Sequence, residues 1–297
     1  MKERIGFIGT GTMGRPMAGN LLKAGYPLIV YDINPEPVEE LRSRGASVGK
    51  SIPQVASQAN LIITMLPNSP DVEEVILGKG GVHEGVEAGS TLLDMSTIDP
   101  SVSRKVAQAL AGKKVKVLDA PVSGGPGGAE AATLTIMVGG DKEIFEKYLP
   151  VLQVMGQKIY YCGPNGNGQI VKIINNILSG IHKVAAAEGL SLGVKAGVDF
   201  KILFDVIMSS SGQSRTVQNF VAPKAFKGDF EPGFSTELMT KDLGLALNLS
   251  KEEGIPLFLG ALSHQIFTKL LSLGYGKKDN SILFKFAEEL YKVQLRL

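Results

Sequence analysis

The sequence predicts an α/β fold, a doubly wound parallel sheet, followed by an all-α C-terminal domain joined to it by a long helix. Three observations predict this. Short β-rich runs alternate with helically spaced segments up to Gly163. A turn-rich stretch, Pro164-Asn165-Gly166-Asn167-Gly168, then breaks the alternation. Beyond it, apolar residues recur at helical spacing to the end of the 297-residue chain.

The first half supplies the strands. The apolar runs are Ile5-Gly6-Phe7-Ile8, Leu28-Ile29-Val30-Tyr31, Leu61-Ile62-Ile63-Thr64-Met65, Thr91-Leu92-Leu93 and Val115-Lys116-Val117-Leu118. Each is short and bounded by Gly, Pro, Asp or Asn. Helical spacing fills the gaps, as from Met17 to Lys23 and from Val38 to Arg44. Strands alternating with helices make a parallel sheet covered on both faces. Runs at Leu134 to Val138 and Lys158 to Tyr161 extend the sheet. In the second half, Gln169 to Ala196 is long enough for about seven helical turns at 3.6 residues each. Further helices are expected at Phe200 to Ser209, Thr240 to Glu253, Ala261 to Gly274 and Ser281 to Lys292, and no strand pattern is visible there. The domains are therefore expected to be 1–163 and 164–297.

Composition narrows the function. Lys and Arg number 31 against 29 Asp and Glu, a net charge of +2, with no long run of like charges. No nucleic-acid or membrane partner is expected from such a surface. The single cysteine, Cys162, excludes an intrachain disulfide and fits a reducing compartment. His83, His182 and His264 lie far apart with no metal-ligand spacing, so no metal is expected. The apolar run near the N-terminus is too short for a signal peptide or a membrane span, and a cytoplasmic protein is expected.

Gly9-Thr10-Gly11-Thr12-Met13-Gly14 fits GxGxxG. The string is weak by itself, but it follows an apolar strand and opens a helical pattern. That is the first βα turn of a Rossmann domain. Its glycines allow the tight turn, the approach of a pyrophosphate and close packing of the helix. The helix N-terminus offers N–H groups and partial positive charge to the phosphates. Asp32 ends the second run, 18 positions after Gly14. It can accept bonds from ribose hydroxyls and would repel a 2′-phosphate, which favours NAD over NADP. It can equally cap the helix near Pro35.

Three further segments can carry chemistry. Asp94-Met95-Ser96-Thr97-Ile98-Asp99-Pro100 lies at the carboxyl end of a strand, where ligands bind in open α/β sheets, or is an ordinary helix cap. Asp119 to Gly128 offers Ser123, Gly124 and Gly125 as an anion cradle, or is a flexible glycine loop. Lys172 and Asn176, four apart, begin a polar stripe continued by Ser179 and Lys183 on an otherwise apolar helix. That stripe either faces solvent or lines a polar cleft. A lysine serves as general acid once its environment lowers its pKa from about 10.4.

Taken together, these motifs resemble the β-hydroxyacid dehydrogenase family over essentially the whole chain. The resemblance rests on GFIGTGTMGRPMAGNLLKAG at 6–25, MLPNSP at 65–70, DMSTIDP at 94–100, DAPVSGG at 119–125, LTIMVGGD at 134–141, GNGQIVKIINN at 166–176 and LMTKDLGLAL at 238–247. It implies a nicotinamide-dependent dehydrogenase acting on a small 3-hydroxy acid, with residues 1–163 binding the cofactor. Residues 164–297 would then serve substrate binding and dimerisation, in a homodimer or homotetramer. Lys172 matches the catalytic lysine, and Asn176 the substrate-orienting amide. Ser123, Gly124 and Gly125 match the substrate-carboxylate loop. Thr97 and Met65-Leu66-Pro67 match cofactor contacts, and Lys241 matches a lysine near the cofactor. The motifs divide between branches acting on 3-hydroxyisobutyrate and on tartronate semialdehyde, with the balance towards the first. A nucleotide-binding protein that had lost catalysis would be expected to lack the lysine. One position departs from the pattern: relatives commonly carry glycine where this chain has Ala132, so either Ala132 bears a strained positive φ or the loop takes another path.

Overall fold

The computed structural model describes residues 2–297. Nine strands form one sheet: β1 (Ile5–Ile8), β2 (Leu28–Tyr31), β3 (Ser47–Val48), β4 (Leu61–Thr64), β5 (Thr91–Asp94), β6 (Lys116–Asp119), β7 (Val122–Ser123), β8 (Leu134–Gly140) and β9 (Gly156–Gly163). The helices among them are α1 (Gly14–Lys23), α2 (Pro35–Ser43), α3 (Ile52–Ser57), α4 (Ser69–Leu77), α5 (Val82–Gly85), α6 (Pro100–Ala111), α7 (Gly125–Glu130) and α8 (Lys142–Met155). The strand order is β3-β2-β1-β4-β5-β6-β8-β7, with β9 paired to β8.

From β3 to β6 the pairing is parallel throughout, in register from Ile5↔Leu28 and Ile5↔Leu61 outward. A parallel sheet needs helical crossovers, which cover both faces, so its central strands read as continuous apolar runs. Ile5, Phe7, Leu61 and Ile63 pack into one core with Met17, Leu21 and Leu41, while Ile8 and Ile62 pack into the other with Val55, Val72 and Ile76. β8 departs from the all-parallel expectation. It runs antiparallel to β6 and β7 and parallel to β9. β3 and β7, two residues each, are too short to leave an apolar run in the sequence.

The helix starts are written in local chemistry. Asn34, Ser51, Asn68, Asp99 and Asp141 each accept a backbone N–H in the first turn of the helix that follows. Such a bond satisfies one of the donors that a helix N-terminus leaves open.

The remaining helices are α9 (Asn167–Lys195), α10 (Phe200–Met208), α11 (Thr236–Glu252), α12 (Phe258–Ser272) and α13 (Ile282–Tyr291), with a π-turn at Val217–Val221 and a 3₁₀ turn at Ala225–Lys227. Among the described residues no strand follows β9. The chain divides into two compact units, residues up to Lys172 and Ile173–Leu297. The second unit has its own core, centred on Phe226, which meets Phe200, Phe204 and Phe284 edge-on. Among the described residues no helix is long and apolar enough to cross a membrane.

Candidate active site

The turn after β1 has the three properties a dinucleotide requires. Gly9 has φ +91°, and a Cβ there would lie 2.3 Å from the Met65 carbonyl oxygen. A Cβ on Gly14 would lie 1.9 Å from the Gly9 carbonyl oxygen, whereas one on Gly11 would meet nothing within 4 Å. Two glycines therefore close the turn and the third leaves open room above it, as close approach of a pyrophosphate demands. The first turn of α1 has no side-chain cap and no acidic residue, so its N-terminal positive end is left to a ligand. The residues present fit the dinucleotide.

Asp32 is not the cap of α2. That place belongs to Asn34, whose side chain accepts the Glu36 N–H. Asp32 instead accepts the Thr10 N–H at 2.5 Å and the Asn34 N–H at 2.8 Å, which holds its carboxylate beside the glycine turn. In the segment from Asp94 to Pro100 the helix-cap reading is the one seen. Asp99 caps α6 through the Ser101 N–H, and the residues before it are bound up in a separate network.

That network lies at the carboxyl ends of β4, β5 and β6. The Ser96 hydroxyl donates to Asp94 Oδ1 at 2.6 Å and accepts the Leu66 N–H at 2.9 Å. The Thr64 hydroxyl donates to the same Asp94 oxygen at 2.8 Å. Burial pushes the Asp94 carboxyl up to about 6, against the lowering effect of the Ser96 and Thr64 bonds. Asp119, its register partner on β6, is also pushed up by burial, and is held down in part by the Gly166 and Gln169 N–H groups that bond to it. Those two bonds, at 2.7 and 3.2 Å, cap the start of α9 from the sheet. The contact is close, because a Cβ on Gly168 would sit 2.4 Å from the Met137 carbonyl oxygen.

Ser123 pairs with Thr135 as part of β7, and Gly124 and Gly125 follow with φ of +144° and +63°. The segment is the turn between β7 and α7. Ala132 has φ +55°. It follows the last residue of α7 by two positions. The Thr133 N–H reaches the Gly128 carbonyl at 2.9 Å and the Ala132 N–H reaches that of Ala129 at 3.4 Å. This is a Schellman ending, with alanine in the left-handed place that glycine favours. Ala132 thus bears the strain of a positive φ.

The polar stripe of α9 is buried. Lys172 is 8% exposed and Asn176 5%, while Val171, Ile174 and Leu178 on the same helix are 43%, 44% and 47% exposed. Asn176 donates through Nδ2 to Asp242 Oδ2 at 2.5 Å, and Lys241 pairs with the other oxygen of that carboxylate at 3.2 Å. A carboxylate accepts only, so this bond fixes which way round the amide lies. Lys183 donates to Ser179 at 3.2 Å, and burial holds its amine down at about 8 although Asp279 pulls the other way. Among the described residues no three His, Cys, Asp or Glu gather as a metal site.

Four residues without an assigned role in the sequence reading bond to candidate residues or to the segments that hold them: Asp94, Asp119 and Gln169 in the first unit, and Asp242 in the second. The signal for the first two was present, since each ends an apolar run as Asp32 does. Gln169 is a polar residue in an apolar helix, three before Lys172. Asp242 left no signal beyond its place beside Lys241.

A glycine turn cleared for a pyrophosphate, an acid held beside it and a buried lysine on the next long helix define a nicotinamide-dependent dehydrogenase of the Rossmann class. Comparison with known proteins makes the assignment finer. The family model described as the NAD binding domain of 6-phosphogluconate dehydrogenase matches residues 4–163. The one described as NAD-binding of NADP-dependent 3-hydroxyisobutyrate dehydrogenase matches residues 166–287. The mitochondrial 3-hydroxyisobutyrate dehydrogenase of Mus musculus is 42% identical over 97% of this chain and 88% of its own. The 2-(hydroxymethyl)glutarate dehydrogenase of Eubacterium barkeri is 42% identical over 98% and 97%. The solved structure of Mycobacterium tuberculosis 3-hydroxyisobutyrate dehydrogenase with L-serine superposes with a TM-score of 0.88 at 34% identity, covering 96% of this chain and 99% of that one. The chain belongs to the β-hydroxyacid dehydrogenase family.

Proposed function

We propose that the protein oxidises 3-hydroxyisobutyrate, or reduces the corresponding semialdehyde, with NAD as its hydride partner. The observation that carries this is the burial of Lys172 and Asn176 on α9 while Val171, Ile174 and Leu178 of the same helix stay exposed. A helix that hides its polar face at such cost is serving a polar reaction. The likeness to the mouse enzyme supports the substrate.

The glycine turn from Gly9 to Gly14, with Thr10, Thr12 and Met13, and Asp32, Met65, Leu66, Pro67, Thr97 and Lys241 would hold the dinucleotide. When bound, it supplies the hydride acceptor. Ser123 and the N–H groups of Gly124 and Gly125 take the substrate carboxylate. Asn176, its amide set by Asp242, orients the carbinol. The Lys172 amine takes the hydroxyl proton in oxidation and returns it to the alkoxide in reduction, where its charge also stabilises the oxyanion. In this reading residues 1–163 carry the cofactor, and 164–297 carry substrate contacts and an interface with a second copy. A single cysteine suits work in the cytoplasm.

The test is a panel of 3-hydroxyisobutyrate, 3-hydroxypropionate, D-glycerate, L-serine and 4-hydroxybutyrate with NAD and NADP, ranked by kcat/KM. The expected leader is 3-hydroxyisobutyrate with NAD. D-glycerate in first place would move the assignment to tartronate semialdehyde reduction. A strong preference for NADP would overturn the role given to Asp32.

A further inference from the structure

We propose that Gln169 is a positioning residue for the transfer step, its side-chain amide setting the Thr97 segment in register with the helix that carries Lys172. The inference rests on the roles just given to Thr97 and Lys172. Gln169 is fully buried in the first turn of α9. Its Nε2 donates to the Ser96 carbonyl at 2.8 Å, and its Oε1 accepts the Ile98 N–H at 3.1 Å. One amide thus takes the carbonyl before Thr97 and the N–H after it. That is how one residue of a parallel strand bonds its neighbour. A flipped amide would set oxygen against oxygen and N–H against N–H, so the side chain has a single usable orientation.

The bridge is locked at both ends. On the helix side, the backbone N–H of Gln169 goes to Asp119 Oδ2, and that carboxylate also holds Gly166. On the loop side, Ser96 is bound to Asp94 and takes the Leu66 N–H, which ties in the segment after β4. A continuous run of bonds therefore leads from Leu66 through Ser96 and Gln169 to α9, and Lys172 lies three residues further along that helix. Asp119 would be enough to start the helix. What Gln169 adds is the register of the helix against the Thr97 segment. A displacement of about 1 Å in such a register can cost on the order of 10²-fold in rate.

The experiment begins with wild-type turnover of the panel above. Failure to oxidise any hydroxy acid would remove the proposed function, and this inference with it. Given turnover, Gln169→Leu is expected to lower kcat by about 10²-fold, with KM for NAD and for substrate changed by less than about threefold. The deuterium isotope effect on kcat/KM, with label on the carbinol carbon, is expected to rise as hydride transfer becomes the slow step. Gln169→Glu keeps the acceptor for Ile98 and loses the donor to Ser96. Its carboxyl regains a donor when protonated, so its kcat relative to wild type is expected to rise as pH falls. This second variant decides the matter if the first does not fold. Wild-type-like kcat and isotope effect in Gln169→Leu, or a pH profile of Gln169→Glu parallel to wild type, would overturn the positioning role and leave the proposed function standing.

Discussion

Two single residues carry predictions: Lys172 through the chemistry proposed for it, and Ala132 through its left-handed backbone. No histidine of this chain sits beside an acid in a recognisable motif, and Lys172 is buried, three residues after Gln169 on α9. Lys172→Ala is expected to lower kcat by about 10² to 10⁴, the range that general acid–base catalysis supplies. NAD affinity, measured by fluorescence titration of NADH, should hardly move, because the glycine turn and Asp32 are untouched. Near-normal turnover in a folded variant would give the proton to another group. Ala132 makes the opposite prediction. A left-handed alanine costs roughly 1–2 kcal/mol, of which the extra freedom of an unfolded glycine takes back about half. Ala132→Gly is expected to stabilise the chain by about 0.5–1 kcal/mol and to raise the thermal midpoint by about 2 °C. A lower midpoint in calorimetry would mean that the alanine methyl packs usefully, contrary to this reading.

Among elements, the strand ends hold the buried carboxyl groups of the sheet. β5 and β6 end in Asp94 and Asp119, which face one another in register. The Asp94 carboxyl, held up to about 6 by burial, keeps its proton more tightly in the folded chain than in the unfolded one, where the ordinary value is 3.8. Between those two values the folded state binds more protons, so this group's contribution to stability falls as pH rises and is level above about 6. Two units correspond to about 3 kcal/mol at most. Urea unfolding from pH 4 to 7 is expected to show a shallower decline in Asp94→Asn than in the wild type, and parallel curves would exonerate Asp94. The sequence made the strands themselves plain, because fully buried parallel strands are unbroken apolar runs. β1 and β2 were legible to the residue. β3 and β7 were not, since two residues carry no period, and neither was the reversal of β8, which depends on a turn geometry that periodicity does not record. The glycine turn was likewise legible from motif and context, whereas spacing left the α9 stripe facing either solvent or a cleft, and it is buried. Asp119 capping α9 from about 50 residues away was not legible, because a cap supplied across the fold leaves no local pattern.

In the whole molecule, the exposed apolar side chains need an explanation. Val171, Ile174 and Leu178 line the open side of α9, and Phe258, Leu259 and Leu262 stand out at the start of α12 with Phe258 82% exposed. Surfaces of this kind mark association, and closed homo-oligomers are the common solution. Light scattering at micromolar concentration is expected to give a dimer or tetramer, and Ile174→Glu with Leu178→Glu is expected to shift it towards monomer. A stable, active wild-type monomer would refute the interface. The strand order has a consequence of another kind, for the chain as it leaves the ribosome. β2 pairs with β1, β3 with β2, β4 with β1, β5 with β4 and β6 with β5. Each of these strands is synthesised after the neighbour it needs, so the sheet can grow outward from β1 on both sides as translation proceeds. β7 alone must wait, because its only partner is β8. Ser123 and the glycines after it are thus fixed only once residue 136 has followed them out.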